Sequence, residues 1–192
     1  LLVLSDEVYN KIVYDGFNIR SMATFENVRS QVILINGFSK AYAMTGWRLG
    51  YVLADKTIIE AVDKIVQTST TCPASFAQKA GVAALKGPQD SVLRMVEEYD
   101  QRRRFIVEKL NEISGVHCEM PKGAFYVFPD FSSLNMSSLE VSMKMLEEEG
   151  DCSTPGSVFG NCGEGYIRLS YATGMDVISE AMEKIKEFVL RV

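Results

Sequence analysis

The chain has 192 residues, 47% of them hydrophobic and 23% charged, enough to bury the core of one large domain or two small ones. Its net charge of -5 argues against a surface for nucleic acid or anionic membrane, and no apolar stretch approaches the ~20 residues that span a bilayer. The four cysteines (Cys72, Cys118, Cys152, Cys162) form no C-x-x-C pair and His117 is the one histidine; this pattern offers no metal-ligand cluster and reads as a cytoplasmic protein with reduced thiols.

Leu1-Leu2-Val3-Leu4 opens the chain as a short apolar run, the pattern of a buried parallel strand. No Met, leader or capping residue precedes it, so the chain reads as the C-terminal part of a longer protein. Further core strands are predicted at 32–35 and 49–54, each rich in branched residues and bounded by turn signals. Helices are predicted at 58–68, at 74–85 between Pro73 and Gly87-Pro88, and at 90–113. On the last, Glu98 with Arg102 and Asp100 with Arg104 are acid-before-base pairs, so Arg102-Arg103-Arg104 reads as a solvated helix face.

The texture changes at Gly115. Residues 116–120 and 124–128 read as strands around Pro121-Lys122-Gly123, which has turn chemistry. Ser137-Ser138-Leu139-Glu140 matches a capping box, with Leu139, Met143 and Leu146 following at helical spacing. Residues 166–172 alternate as a strand, with His117 a plain strand residue elsewhere. A final amphipathic helix carries Val177, Ile178, Ala181, Met182, Ile185, Phe188 and Val189 on one face. The fold class is α/β: residues 1–114, with a mostly parallel sheet and the long bridging helix, then a small α+β domain at 115–192.

The chemistry centres on Lys40, in Asn36-Gly37-Phe38-Ser39-Lys40-Ala41-Tyr42-Ala43-Met44-Thr45-Gly46-Trp47-Arg48-Leu49-Gly50. A lysine in a small-residue loop after a buried strand is well placed to be a desolvated amine, which loses its proton more easily and attacks carbonyls. Arg48 supplies a guanidinium able to hold phosphate in bidentate fashion. A reactive amine beside an anion clamp is what an aldehyde cofactor carrying a phosphate requires. Trp47, between Gly46 and Arg48, reads as a packing residue.

This segment resembles the lysine motif of the pyridoxal-phosphate aminotransferases of class I/II, the fold-type-I enzymes: Ser-Lys, a short spacer, then Gly-x-Arg-x-Gly. Asp6-Glu7-Val8-Tyr9 is similar to the family's Asp-x-x-Tyr, and Tyr166-Ile167-Arg168-Leu169-Ser170 to its arginine strand. Pro155-Gly156-Ser157-Val158-Phe159-Gly160 is similar to the loop before that strand. The resemblance covers nearly the whole chain in order.

It implies that Lys40 forms the covalent imine with pyridoxal 5'-phosphate and moves protons. It implies that Asp6 faces the pyridine nitrogen, Tyr9 the 3-oxygen, and Ser39 with Arg48 the phosphate, while Arg168 binds the substrate α-carboxylate. It implies further an amino acid and a 2-oxo acid as substrates, ping-pong kinetics, a homodimer, and family residues upstream without which these 192 residues do not turn over. Gly37 stands where some relatives have a serine, and Asp151-Cys152-Ser153 where relatives are more apolar. Two alternatives share the cofactor residues: a lyase or synthase of the same fold, and a non-enzymatic cofactor-binding module of a regulator.

Overall fold

The computed structural model describes all 192 residues. They form two compact units, Leu1–Val96 and Glu97–Val192. The division falls inside a long helix, α3 (Asp90–Asn111), whereas the sequence reading sets the change of domain at its far end, near Gly115.

In the first unit, β1 (Val3–Asp6) runs parallel to β2 (Val32–Gly37), and β2 runs antiparallel to β3 (Gly50–Leu53). Central β2 buries Val32, Leu34 and Asn36. The expected burial of the opening run is not what the structure shows: Leu1, Leu2 and Leu4 are exposed. β1 is an edge strand paired with β2 alone, and it alternates: Val3 and Ser5 are half-buried while Leu4 and Asp6 share an exposed sheet face. Helices α1 (Lys56–Ser69) and α2 (Ser75–Lys86) follow, as predicted to within a few residues. The Asp55 side chain caps α1 by accepting from the Thr57 N–H, one of the donors a helix start leaves without a partner.

Gly81 fixes where α2 lies. A Cβ there would stand 2.6 Å from Leu49 Cδ2 and 3.2 Å from the Phe38 ring. The missing side chain lets α2 press on the cluster of Phe38, Met44 and Leu49, against which Tyr42, Tyr51, Ala80 and Ala84 also pack. Those residues are the two ends and the underside of the lysine loop, so helix packing and loop shape are one problem.

In the second unit, β6 (Ile167–Ser170) pairs antiparallel with both β4 (Tyr126–Val127) and β5 (Thr154–Pro155). α5 (Met175–Arg191) buries Ile178, Met182, Ile185 and Phe188 as expected, while Val177 stays exposed. The strand expected at 116–120 is reduced to one bridge between His117 and Asp130. α4 (Ser138–Lys144) starts with the predicted capping box, Ser137 and Glu140 satisfying each other's backbone N–H groups. Its buried face is not the predicted one. Leu139, Met143 and Leu146 are exposed, and Ser138, Val141, Ser142 and Met145 point inward. Both sets have helical spacing. Glu164 decides between them by accepting from the Ser138 N–H at 2.5 Å and the Ser138 hydroxyl at 3.3 Å, turning that stripe toward the unit.

The basic triplet on α3 is a second correction. Arg102 and Arg104 make the predicted pairs with Glu98 and Asp100. Arg103 is fully buried, with Nε donating to Asp100 at 2.8 Å and Nη1 to the Pro121 carbonyl at 2.7 Å. The helix turns its middle arginine inward because fixed partners replace the water it loses.

Two carboxylates respond to pH in opposite senses. Hydrogen bonds from the Ser138 and Gly165 backbone hold Glu164 below the usual glutamate range. Its contribution is present above that range and lost as pH falls through the lowered value. Burial pushes Asp151 upward. Its Oδ2 and the Ser153 Oγ are buried without hydrogen-bond partners, and Asp151 lies at a cavity of about 250 Å3 among Ile106, Leu169, Ile178 and Met182. Stability associated with Asp151 is complete below the ordinary aspartate range and lost as pH rises through the raised value.

Gly81→Val is expected to lower stability by about 1–3 kcal/mol through overpacking against Phe38 and Leu49, measured by denaturant melts; a neutral effect would show that α2 can back away. Asp151→Val is expected to raise the melting temperature by a few degrees at neutral pH, since a buried polar atom without a partner is removed. The gain should shrink as pH falls toward the carboxylate range, which thermal melts across pH will show.

Candidate active site

The loop after β2 is built on Phe38. Its N–H donates to the Leu49 carbonyl at 3.2 Å, and its carbonyl accepts from Tyr42 at 3.2 Å and Met44 at 3.3 Å. Its ring, buried, lies 5.6 Å from Tyr42 and 5.9 Å from Tyr51. The Tyr42 hydroxyl reaches Gln89 at 3.3 Å. The chain therefore leaves β2, turns over its own aromatic ring and returns as β3. Ser39 and Lys40 sit on the turn, both half-buried, and Arg48 is exposed at the return. Lys40 is thus partly desolvated, not enclosed.

Arg48 has φ 52, the left-handed region that costs a side-chain-bearing residue energy and recurs at functional positions. Its Nη1 donates to the Thr45 carbonyl at 2.8 Å, which steadies the guanidinium near the turn. Trp47 meets Phe76 edge-on, ring centroids 6.0 Å apart, but both side chains stay exposed, so the packing expected of Trp47 is partial within this unit.

Asp6 ends β1, and its Oδ1 accepts from the Val8 N–H at 3.2 Å, so it also forms the tight turn that follows. Tyr9 comes off that turn, and the Lys40 Nζ lies 5.9 Å from its ring centroid. Glu7 fastens the region: one of its oxygens accepts from the Ser5 hydroxyl, the Ser21 hydroxyl and the Met22 N–H, at 3.0–3.1 Å. Nothing in the sequence singles Glu7 out, because two of its three partners, Ser21 and Met22, come from a distant loop.

Asp6, Ser39 and Arg48 line one cavity of about 290 Å3, with Asn36, Gly37 and Gly50 among its other walls. Parallel pairing brings Asp6 level with Ile35, so the end of β1 and the end of β2 open on the same side. One carboxylate, one hydroxyl and one cation surround a small hollow that Val8, Ile35 and Leu49 also line, with an amine on the adjoining turn. The set suits a phosphate-bearing heteroaromatic group: a cation and hydroxyl for the phosphate, a carboxylate for a ring N–H.

Arg168 belongs to the second unit. β6 alternates, as the pattern of residues 166–172 predicts: Ile167 and Leu169 are buried, while Arg168 lies half-buried on the opposite face. No carboxylate pairs with it. Nη2 donates to the Thr154 hydroxyl at 3.2 Å, since Thr154 is its register partner on β5. The guanidinium carbon sits 4.6 Å from the Tyr126 ring and 5.1 Å from Phe159. Tyr126 and Phe159 were invisible as site neighbours because strand register and a turn, not spacing along the chain, bring them there.

Glycine shapes the segment that carries Phe159. Pro155-Gly156 leads into a short 3-10 turn, Gly156–Phe159. A Cβ on Gly156 would fall 2.0 Å from the Gly163 carbonyl oxygen, and one on Gly163 2.1 Å from that of Gly156. Two backbone segments touch there, which only glycine permits.

Residues 1–185 match the family model described as aminotransferase class I and II. The chain is 44% identical to an aspartate aminotransferase of Pyrococcus abyssi, over 100% of this chain and 49% of that protein. It is 41% identical to aromatic-amino-acid aminotransferase 2 of Thermococcus litoralis, over 97% of this chain and 48% of the relative. Among solved structures, an aromatic aminotransferase from Pyrococcus horikoshii superposes with TM-score 0.96 at 42% identity, over 100% of this chain and 52% of the other. The aspartate aminotransferase from Rhizobium meliloti gives 0.94 at 36%, over 99% and 50%. The chain spans about half the length of the curated relatives it matches. With this sequence match along nearly its entire length, the chain belongs to the class I and II aminotransferase family.

Proposed function

We propose that this chain supplies the lysine-bearing part of a pyridoxal-phosphate-dependent aminotransferase that exchanges an amino group between an L-amino acid and a 2-oxo acid. The observation that carries this reading is the cavity shared by Asp6, Ser39 and Arg48 with Lys40 on the adjoining turn. The names of the relatives favour aminotransfer over a lyase, a synthase or a regulator module. Aspartate and aromatic amino acids are the donors to try first, from the names of those two relatives.

Arg48 and Ser39 would hold the cofactor phosphate, Asp6 the ring nitrogen, Tyr9 the 3-oxygen and Lys40 the aldehyde carbon. When bound, the group supplies an electron sink that makes a substrate Cα–H bond acidic. Lys40 Nζ is the base that takes a proton from Cα and the acid that returns it. Tyr9, whose ring lies near that amine, helps keep it oriented over the turn. Asp6 would hold the ring nitrogen of the bound group and favour its protonated form, which supports that sink. Arg168 binds the α-carboxylate of amino acid and 2-oxo acid alike, since its fork has no carboxylate partner within its own unit.

The reading includes a homodimer and a cytoplasmic location, where the unpaired cysteines would stay reduced. Light scattering tests the first.

Lys40→Ala is expected to abolish the imine absorbance at ~360–430 nm and the borohydride-reducible adduct in the protein at its natural full length; an adduct mapped to another lysine overturns the assignment. Arg48→Gly should leave the melting temperature of the cofactor-free protein unchanged or higher, because glycine accepts the left-handed backbone at no cost. The same change should weaken cofactor binding at least tenfold by titration. A cofactor affinity equal to wild type would remove Arg48 from the phosphate site.

A further inference from the structure

We propose that Tyr126 and Phe159 are positioning residues that bracket the Arg168 guanidinium and set the direction of its fork before substrate arrives. The proposal rests on the reading of Arg168 as the carboxylate-binding residue and adds how that residue is held.

Arg168 has one hydrogen bond, to a neutral hydroxyl, and no ion pair. What surrounds the cation is aromatic: Tyr126 at 4.6 Å and Phe159 at 5.1 Å. Ring faces attract a guanidinium without using its N–H groups. Those groups stay available to a carboxylate, whereas an Asp or Glu partner would compete with substrate. Arginine is long and flexible, and a fork already held loses less freedom when it binds.

Each ring is itself fixed. Tyr126 stands opposite Ser170 on the neighbouring strand, which makes it the diagonal neighbour of Arg168 on one sheet face. Phe159 ends the 3-10 turn locked by the Gly156–Gly163 contact. Its edge meets Phe128, at 5.9 Å, and Phe128 stacks on Tyr166 at 5.2 Å and 10°. Phe159 is nevertheless 55% exposed, more than a residue kept only for the core would be. Thr154 completes the bracket from the third side.

The test uses the cofactor-loaded protein at its natural full length, with whichever of aspartate, tyrosine or phenylalanine is the best donor and 2-oxoglutarate as acceptor. Phe159→Leu and Tyr126→Leu should each raise KM for both substrates about two- to tenfold with kcat within about twofold. Both KM values move because both substrates present the same α-carboxylate. The cofactor absorbance should not change, and Phe159→Tyr should restore KM by restoring an aromatic face. The exposure of Phe159 makes Phe159→Leu safe for folding, which a thermal melt checks. If only one substrate's KM moves, the ring contacts a substrate side chain and the proposal falls. It falls equally if neither Leu variant changes KM while Arg168→Ala raises both. If Arg168→Ala leaves both unchanged, the carboxylate reading of Arg168 fails, and the bracket fails with it.

Discussion

The lysine loop depends on the burial of one ring. Phe38 follows β2 directly, and its side chain takes the space that Gly81 leaves open on α2. Its backbone makes the bond that returns the chain to β3 and accepts the two that close the turn. Ser39, Lys40 and Arg48 are polar, partly exposed side chains with little packing of their own, so the loop under them must hold its shape. An aromatic core of about this kind, each ring worth a few kcal/mol of burial, lets a turn of small residues keep a single conformation. The left-handed backbone at Arg48 is tolerated for the same reason: strain persists where the surroundings over-determine it.

The second unit solves a different problem with a different device. There a cation is held by two aromatic rings and one hydroxyl, with no carboxylate partner in its own unit. A short antiparallel sheet supplies the place, because register sets Thr154 and Tyr126 beside Arg168. The glycine contact beneath the Pro155-Gly156 turn sets Phe159 on another side. The contrast with Arg103 is instructive. That arginine is buried, gives its donors to Asp100 and a backbone carbonyl, and is structural. Full burial with an anionic partner and partial burial between aromatic rings separate the two environments.

Polar groups also mark where this unit is costly. Glu164 is well satisfied and orients α4, while Asp151, beside an apolar cavity, and Ser153 have buried oxygens lacking partners. The sequence flags Asp151-Cys152-Ser153 as an oddity, and the geometry shows its consequence: a carboxylate, Asp151, facing a cavity lined by Ile106, Leu169, Ile178 and Met182. The two carboxylates shift in opposite directions, Glu164 through hydrogen bonds and Asp151 through burial.

Much of the fold was legible in the chain. Core strands, three helices, the capping box and the last helix follow from periodicity and capping chemistry, which are local. The face of α4 was not: two stripes had the right spacing, and only the contact with Glu164, far along the chain, selects one. Arg103 looked like its neighbours because a run of like residues says nothing about which one turns inward. The opening strand reads as buried, and its exposed side chains lie on one alternating face of the sheet, which a run of apolar residues does not distinguish from the other.

The sequence by itself determined the chemical inventory: an amine, an anion clamp, an Asp-x-x-Tyr and an arginine strand, in an order specific enough to name a family. Spacing along a chain fixes local geometry and residue type, and these are what such motifs encode. Only the tertiary structure decided that Asp6, Ser39 and Arg48 share a cavity, and that Arg168 lies between aromatic rings without an acidic partner. Those facts come from strand register, a close glycine contact and the burial of Phe38. Each joins residues distant along the chain, and no local pattern can encode such a contact.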